Sequence, residues 1–426
     1  MLTLSPTPYL SQRTRAYQRA TVMLTDVFLA VGAHCCTCAL PATLVILDAG
    51  LLLVDHVHFQ YNGMLIGILL LSLSQIRAER PLCAAALYTL VLNMKHLFLF
   101  AAPLYFIYLL RRFVLRFPAS TTYALAARRL LVIGSLVMAI FALSFGPFAY
   151  HKQLPQLLAR LFPFGRGLTH AYWAPNTWAL YTFTDKLAAA FGKAAGLGRV
   201  LALEGQAVGT GGLIGETPLQ LLPQVSPAAT AALVLLAQVP VLLSTWRTPR
   251  PQAFGAALAV VGLCAFLLGY HVHEKAVLPP LLILACVPPT HAEGARLHAR
   301  LMTVLSAAAH VAQLPLVFGA AEYLASRAMV ALYATALKPV LCHRLHAICG
   351  DDELRLRPFE LGYVYGFLAL ELTCSVAHPL LVAPRLPFVP LMLTSVYCAV
   401  GIHYGAFLAY QLWAIEVEHT RDKKDL

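Results

Sequence analysis

The chain has 426 residues, 59% of them hydrophobic and 12% charged. That is too apolar for a soluble domain, and its long uncharged runs are continuous rather than alternating, which excludes transmembrane strands; the class is an all-α polytopic membrane protein. The net charge of +12 is read as Lys and Arg gathered in cytoplasmic loops, with no nucleic acid as partner.

In chain order, residues 1–19 are a polar tail carrying Arg13, Arg15 and Arg19, without the ordered regions of a signal peptide. Apolar segments then run at 20–38, 40–55, 63–76, 81–94, 97–111 and 130–149, forming a first helix group (20–149). A polar loop (150–227) follows. A second group (228–413) has segments at 228–246, 253–270, 276–291, 301–319, 323–341, 359–379 and 388–413, before a tail (414–426). This makes about thirteen spans, several shorter than the usual ~20 residues, as in bundles that enclose a cavity. The 10 cysteines read mainly as small hydrophobes, and Cys35-Cys36-Thr37-Cys38 lacks a matching second ligand pair for a metal.

Alternating spans put Arg77 and Arg80, the Arg111 to Arg129 group, Arg247 and Arg250, Arg296 and Arg300, the Arg344 to Arg357 group and the final Arg421, Lys423 and Lys424 on one side. The positive-inside rule makes that side cytoplasmic. Four polar clusters then share the other face: Asp55 to Gly63, Asn93 to His96, the loop 150–227, and His271 to Lys275. That face is where chemistry is expected. The same count leaves the basic N-terminal tail on the non-cytoplasmic side, against the rule. One further upstream span would remove the anomaly, so the chain is expected to start late in its fold.

Asp55-His56-Val57-His58-Phe59-Gln60-Tyr61-Asn62-Gly63 sets two histidines, a carboxylate and two amides between apolar runs. Unpaired in hydrocarbon, such groups cost several kcal/mol each, so the stretch is either a wet capping loop or the lip of a polar cavity. In 161–176, aromatics surround Arg166, His170 and Asn176. Interfacial packing and a ligand-facing role for His170, Trp173 or Asn176 both suit it. Residues 188–217 read as a flexible Ala- and Gly-rich insert. His271-Val272-His273-Glu274-Lys275 packs four polar groups into five residues and is read as a phosphate-binding cluster at a helix mouth, with snorkelling of Lys275 as the alternative. Zinc at the His-x-His pairs is disfavoured, because two rings spaced so on a helix face apart. No nucleotide-binding loop or nucleophile elbow is found, so a donor substrate is expected to arrive through the membrane.

The stretches 58–63, 167–176, 271–275 and Leu393-Thr394-Ser395-Val396-Tyr397-Cys398-Ala399-Val400-Gly401 resemble the endoplasmic-reticulum dolichyl-phosphate-glucose-dependent glucosyltransferases of asparagine-linked glycosylation. Val54-Asp55-His56 and the aromatic loop are most similar to the family members that act second, adding an α-1,3-linked glucose to the monoglucosylated lipid-linked oligosaccharide. The resemblance implies a GT-C-class membrane glycosyltransferase fold with a lumenal site. Its partners would be dolichyl phosphate glucose as donor, a dolichyl-pyrophosphate-linked oligosaccharide as acceptor, and membrane lipid. It implies inversion by one displacement, with no cofactor or metal. His273 and Lys275, supported by His271, would stabilise the leaving phosphate, and His58, Gln60 and Asn62 would line the same cavity. The resemblance places the family's catalytic Asp in a first lumenal loop expected to lie upstream of Met1, and neither Asp26 nor Asp55 matches it, so the catalytic base stays unassigned. Lys423-Lys424-Asp425-Leu426 resembles a dilysine retrieval signal of the endoplasmic reticulum. Two alternatives remain: a proton-coupled carrier, although no repeat of the His58 stretch occurs in the second half, and an inactive shortened glucosyltransferase.

Overall fold

Lipid offers no hydrogen-bond partners, so a spanning backbone must satisfy itself, and helices do so within one segment. The computed structural model describes residues 11–422 except 120, 163–166, 171, 172, 197–218, 288, 290, 318, 352 and 383–385. Much of the Ala- and Gly-rich insert, parts of the aromatic loop and the dilysine stretch therefore lie outside the described residues. The described residues are mainly helical, with no strand among them. Its helices are α1 Gln12–Cys36, α2 Ala39–Val57, α3 Asn62–Arg77, α4 Pro81–Met94, α5 His96–Val114, α6 Tyr123–Tyr150, α7 Leu154–Leu161, α8 Thr177–Ala194, α9 Pro227–Arg247, α10 Phe254–Leu268, α11 Leu278–Cys286, α12 Ala292–Val311, α13 Ala320–Cys349, α14 Pro358–Leu381 and α15 Val389–Asp422. Short polar residues start several of them. Ser11 Oγ accepts from Thr14 N (3.1 Å), Ser226 Oγ from Ala229 N (3.2 Å) and Thr122 Oγ1 from Leu125 N (3.4 Å).

Eight helices (α1, α2, α5, α6, α9, α13, α14 and α15) are long and apolar enough to cross a membrane, and α3, α4 and α10 are shorter apolar ones. Of the thirteen expected spans, eight fall on the long helices, three on the shorter apolar ones, and two differ in their bounds. Where 276–291 was expected, α11 has 9 residues, about 14 Å of rise against a hydrocarbon core of ~30 Å. Where 301–319 was expected, the helix starts earlier, because His291 Nδ1 accepts from Gly294 N (3.1 Å) and caps it. It ends at Val311, before the tighter turn Leu314–Leu316 that holds Pro315.

All of α11 is buried and α10 nearly so; helices apolar on every side belong in a bundle interior. Within the described residues α6 buries only Ile133, and its exposed Leu131 and Leu143 suit lipid. α1 and α3 cross with backbone against backbone at Gly32 and Gly67, where a Cβ on either glycine would collide with main-chain atoms of the other helix. α2 breaks at Asp48, which is fully buried within a span. Its Oδ1 accepts from Leu51 N (3.0 Å), and its Oδ2 pairs with His310 Nε2 of α12 (2.8 Å). After that break, the turns over Leu52–Val57 widen to the π form and deliver Asp55 and His56 to the end of the bundle where α3 begins.

Candidate active site

Asp55 is almost wholly buried, so its carboxylate needs partners. Asn62 Nδ2 donates to Oδ1 (2.7 Å) and Gly63 N to Oδ2 (2.5 Å), which ties the end of α2 to the start of α3. A Cβ on Gly63 would meet both Asp55 and Asp26 at 3.3–3.5 Å. Asp26, from α1, is itself paired with His56 Nε2 at 3.1 Å.

The amide oxygens that remain point at cations from distant segments. Lys95, in the break between α4 and α5, donates from Nζ to Asn62 Oδ1 (2.5 Å). Lys275 donates from Nζ to Gln60 Oε1 (3.1 Å), which also accepts from Asn62 Nδ2 (3.2 Å). Two ammonium groups thus hang on one amide pair. Burial, and then the charge of Lys275, push the Lys95 ammonium down to about 8, against the pull of the Asp55 carboxylate.

Beside Lys275 stands a histidine cluster. His271 and His273 were expected to face apart as on a helix, but residues 271–273 are not helical and His271 has φ +51°. His271 N donates to Leu168 O and its Nδ1 bonds Gly167 O, both at 2.9 Å, joining this turn to the aromatic loop. That loop brings in His170, whose ring centroid lies 3.8 Å from that of His273. One ring nitrogen of each of His170, His271 and His273 lies within 4.8 Å of the others, an arrangement able to hold a cation or to surround an anion. Burial first, then His170, pushes His273 down to about 3, so its imidazole is neutral. Burial works against ionisation of Glu274, but the His170 ring at 3.5 Å and its own backbone N–H hold its carboxyl below the usual range.

The expected residues divide into two sets. Gln60, Asn62, His170, His271, His273 and Lys275 come together, although they start from separate stretches of sequence. His58 is exposed and joins no hydrogen bond or ion pair of this network among the described residues. Trp173 and Asn176, expected to face a ligand or to pack at the interface, make framework contacts. Asn176 caps α8, its Oδ1 accepting from Trp178 N (3.0 Å) and Ala179 N (3.3 Å), and its Nδ2 donates to Phe266 O (3.3 Å). Trp173 is buried; its N donates to His170 O (2.8 Å), and its carbonyl accepts from Ser395 Oγ. Asp26, declined as a catalytic base in the sequence because it sits inside an apolar run, is drawn into the network through His56.

The fold and this network define a polytopic helical membrane protein with a cationic, amide-lined polar site at one end of its bundle. Residues 1–409 match the profile described as the ALG6, ALG8 glycosyltransferase family, and the chain belongs to that family of glycosyltransferases. It is 38% identical over 406 residues to the dolichyl pyrophosphate Glc1Man9GlcNAc2 alpha-1,3-glucosyltransferase of Arabidopsis thaliana, covering 91% of this chain and 78% of the relative. The probable enzyme of the same name from Drosophila melanogaster is 38% identical over 98% of this chain and 80% of its own length. The Mus musculus enzyme is 36% identical over 95% and 80%. The carrier alternative has no counterpart among these relatives.

Proposed function

We propose that this chain transfers glucose from dolichyl phosphate glucose to the monoglucosylated dolichyl-pyrophosphate-linked oligosaccharide, forming an α-1,3 linkage with inversion. It would do so at the lumenal face of the endoplasmic-reticulum membrane. The observation that supports this reading is the convergence of Lys95 and Lys275 on the Gln60–Asn62 amide pair beside His271 and His273. A dolichyl phosphate leaving group carries its charge away from the sugar, and two ammonium groups in a partly dry site stabilise that charge better than water can. Neutral His273 can donate one hydrogen bond to a phosphate oxygen without adding charge. Glu274 orients His170. The loop held by Trp173 and Asn176 positions His170 beside the network, and exposed His58 stands next to its Gln60–Asn62 edge.

The acceptor hydroxyl attacks the anomeric carbon as the carbon–oxygen bond to phosphate breaks, and its proton passes to a base. Asp55 is already held by Asn62 and Gly63, and Asp26 by His56, so neither is assigned that task. The test is glucosyl transfer in microsomes that lack the endogenous activity, supplied with dolichyl phosphate glucose and the monoglucosylated acceptor. Lipid-linked oligosaccharide is read by mass and linkage-specific digestion. Addition of one α-1,3-linked hexose that depends on this chain and is lost in Lys275→Ala supports the reading. Addition at another linkage, or transfer indifferent to Lys275→Ala, refutes it.

A further inference from the structure

At the other end of α3 lies a second polar feature that the transfer reaction does not use. α3 runs 16 residues from Asn62 in the network, about 24 Å, and its last turn enters the wall of a cavity of about 300 Å³. Ile76, Pro81, Tyr108, Phe113, Phe117 and Pro118 make the apolar wall. Arg80, Arg112, Arg116 and Arg129 also line it, against Glu79 as its one carboxylate.

Part of this charge is already used. Arg112 pairs with Glu79 at 2.7 Å and donates to Phe117 O at 3.0 Å, and Arg129 donates to Phe113 O at 3.4 Å with its guanidinium above the Phe113 ring. The side chains of Arg80 and Arg116 make no hydrogen bond or ion pair with the described residues, and both are exposed at the cavity. Arg80 also stands at the N-cap of α4, where the helix dipole adds to the positive potential. Arginines crowded with a single counter-charge repel one another, and a positive-inside count explains their side of the membrane but not their gathering round one cavity. A phosphate monoester supplies the missing charge and accepts forked guanidinium hydrogen bonds. The aromatic and proline wall, at the ends of membrane helices, suits the glycerol and first acyl carbons attached to such a phosphate.

We propose that this cavity binds the phosphate-bearing headgroup of an anionic membrane lipid, held by Arg80 and Arg116 with Arg112 and Arg129 behind them. The site is separate from the transfer site and does not depend on the reaction assigned there.

The experiment uses the whole chain purified in a mild neutral detergent, with short-chain phosphatidic acid as the probe. Native mass spectrometry counts bound lipid, and thermal unfolding reads the stabilisation. One saturable phosphatidic acid per chain is expected, with at least tenfold weaker binding of short-chain phosphatidylcholine and of inorganic phosphate. Arg80→Gln with Arg116→Gln should weaken phosphatidic acid at least tenfold while the lipid-free unfolding midpoint is kept. Arg247→Gln, at the end of α9 and outside the cavity, should leave binding unchanged. If the double variant shifts the lipid-free midpoint, the single Arg116→Gln is read instead, with at least threefold weakening expected. Non-saturable binding, equal binding of phosphatidylcholine, equal weakening by Arg247→Gln, or full binding by the folded Arg80/Arg116 variant would overturn the proposal. Inorganic phosphate binding as tightly as phosphatidic acid would overturn the lipid assignment.

Discussion

Replacing Lys95 by methionine keeps its length and removes its charge from the polar network. The ammonium donates to Asn62 Oδ1 at 2.5 Å, and a charge-assisted bond of that kind is worth about 1.5–3 kcal/mol. If the bond and its charge act on the departing phosphate, Lys95→Met lowers kcat/KM by roughly 10- to 100-fold. The pH dependence is the sharper test. Burial and the neighbouring Lys275 bring Lys95 down from 10.5 to about 8, with Asp55 opposing, a differential of roughly 3 kcal/mol against the charged form. His96 is the adjoining titratable group on the same chain turn. The charged, active form therefore prevails below pH 8 and is lost above it: about nine-tenths is protonated at pH 7 and about one-tenth at pH 9. Transfer should fall on an alkaline limb centred near pH 8. In Lys95→Arg, whose guanidinium stays charged, that limb should move up by a unit or more. The assay is initial-rate glucosyl transfer from pH 6 to 9.5 in microsomes that carry each variant. An alkaline limb unmoved in Lys95→Arg, or Lys95→Met as active as the parent, would refute the reasoning.

Three further outcomes follow from the fold. Asp48→Ala strips a buried histidine of its partner inside the bundle, so the unfolding midpoint in detergent should drop sharply, by the equivalent of about 3–5 kcal/mol; an unchanged midpoint would mean that the pair is not formed. Gly67→Val drives a side chain into the backbone of α1 near Phe28 and should prevent recovery of folded protein, whereas Gly134→Val, with open space around it, should not. Asn176→Ala loses the cap of α8 at about 1 kcal/mol; it should raise the donor KM more than it lowers kcat, and Asn176→Asp should restore the cap to Trp178 and Ala179 but only part of the KM, because a carboxylate cannot donate to Phe266 O.

Most of the helices were legible because hydrophobic runs and helices coincide when lipid is the solvent; 81–94 was recovered to the residue. Ends were read less well. α1 begins at Gln12, ahead of the apolar run, because Ser11 caps it and its polar residues can face outward. The residues at 276–291 read as a span because Leu, Ile and Ala mark any dry environment, and burial among other helices looks the same as burial in lipid. For the site, counting sides put the four polar clusters on one face, but contact between Lys275 and Gln60 is tertiary and leaves no local pattern. The expectation that His271 and His273 diverge failed for a definite reason: it assumed a helix where the backbone turns through positive φ. Asp48 was hidden by its own surroundings, since a single carboxylate hardly alters an apolar run, and its partner His310 is 262 residues away.

The seams of the active end join parts of the chain that are made far apart in time. Lys275 meets Gln60 across 215 residues, Ser395 holds the Trp173 carbonyl across 222, and Thr177 meets His403 across 226. A ribosome that has threaded the first helix group into the membrane has therefore built the Gln60 half of the first seam and neither half of the other two. The aromatic loop, already tied to His271 and Phe266, gains its last anchors only when α15 is released, and the two ammonium groups meet only after Lys275 has been made. The seam around Trp173 and Thr177 thus closes last in biosynthesis, so a chain halted before α15 should carry most of the bundle and the Lys95–Lys275 network but a loosely held aromatic loop.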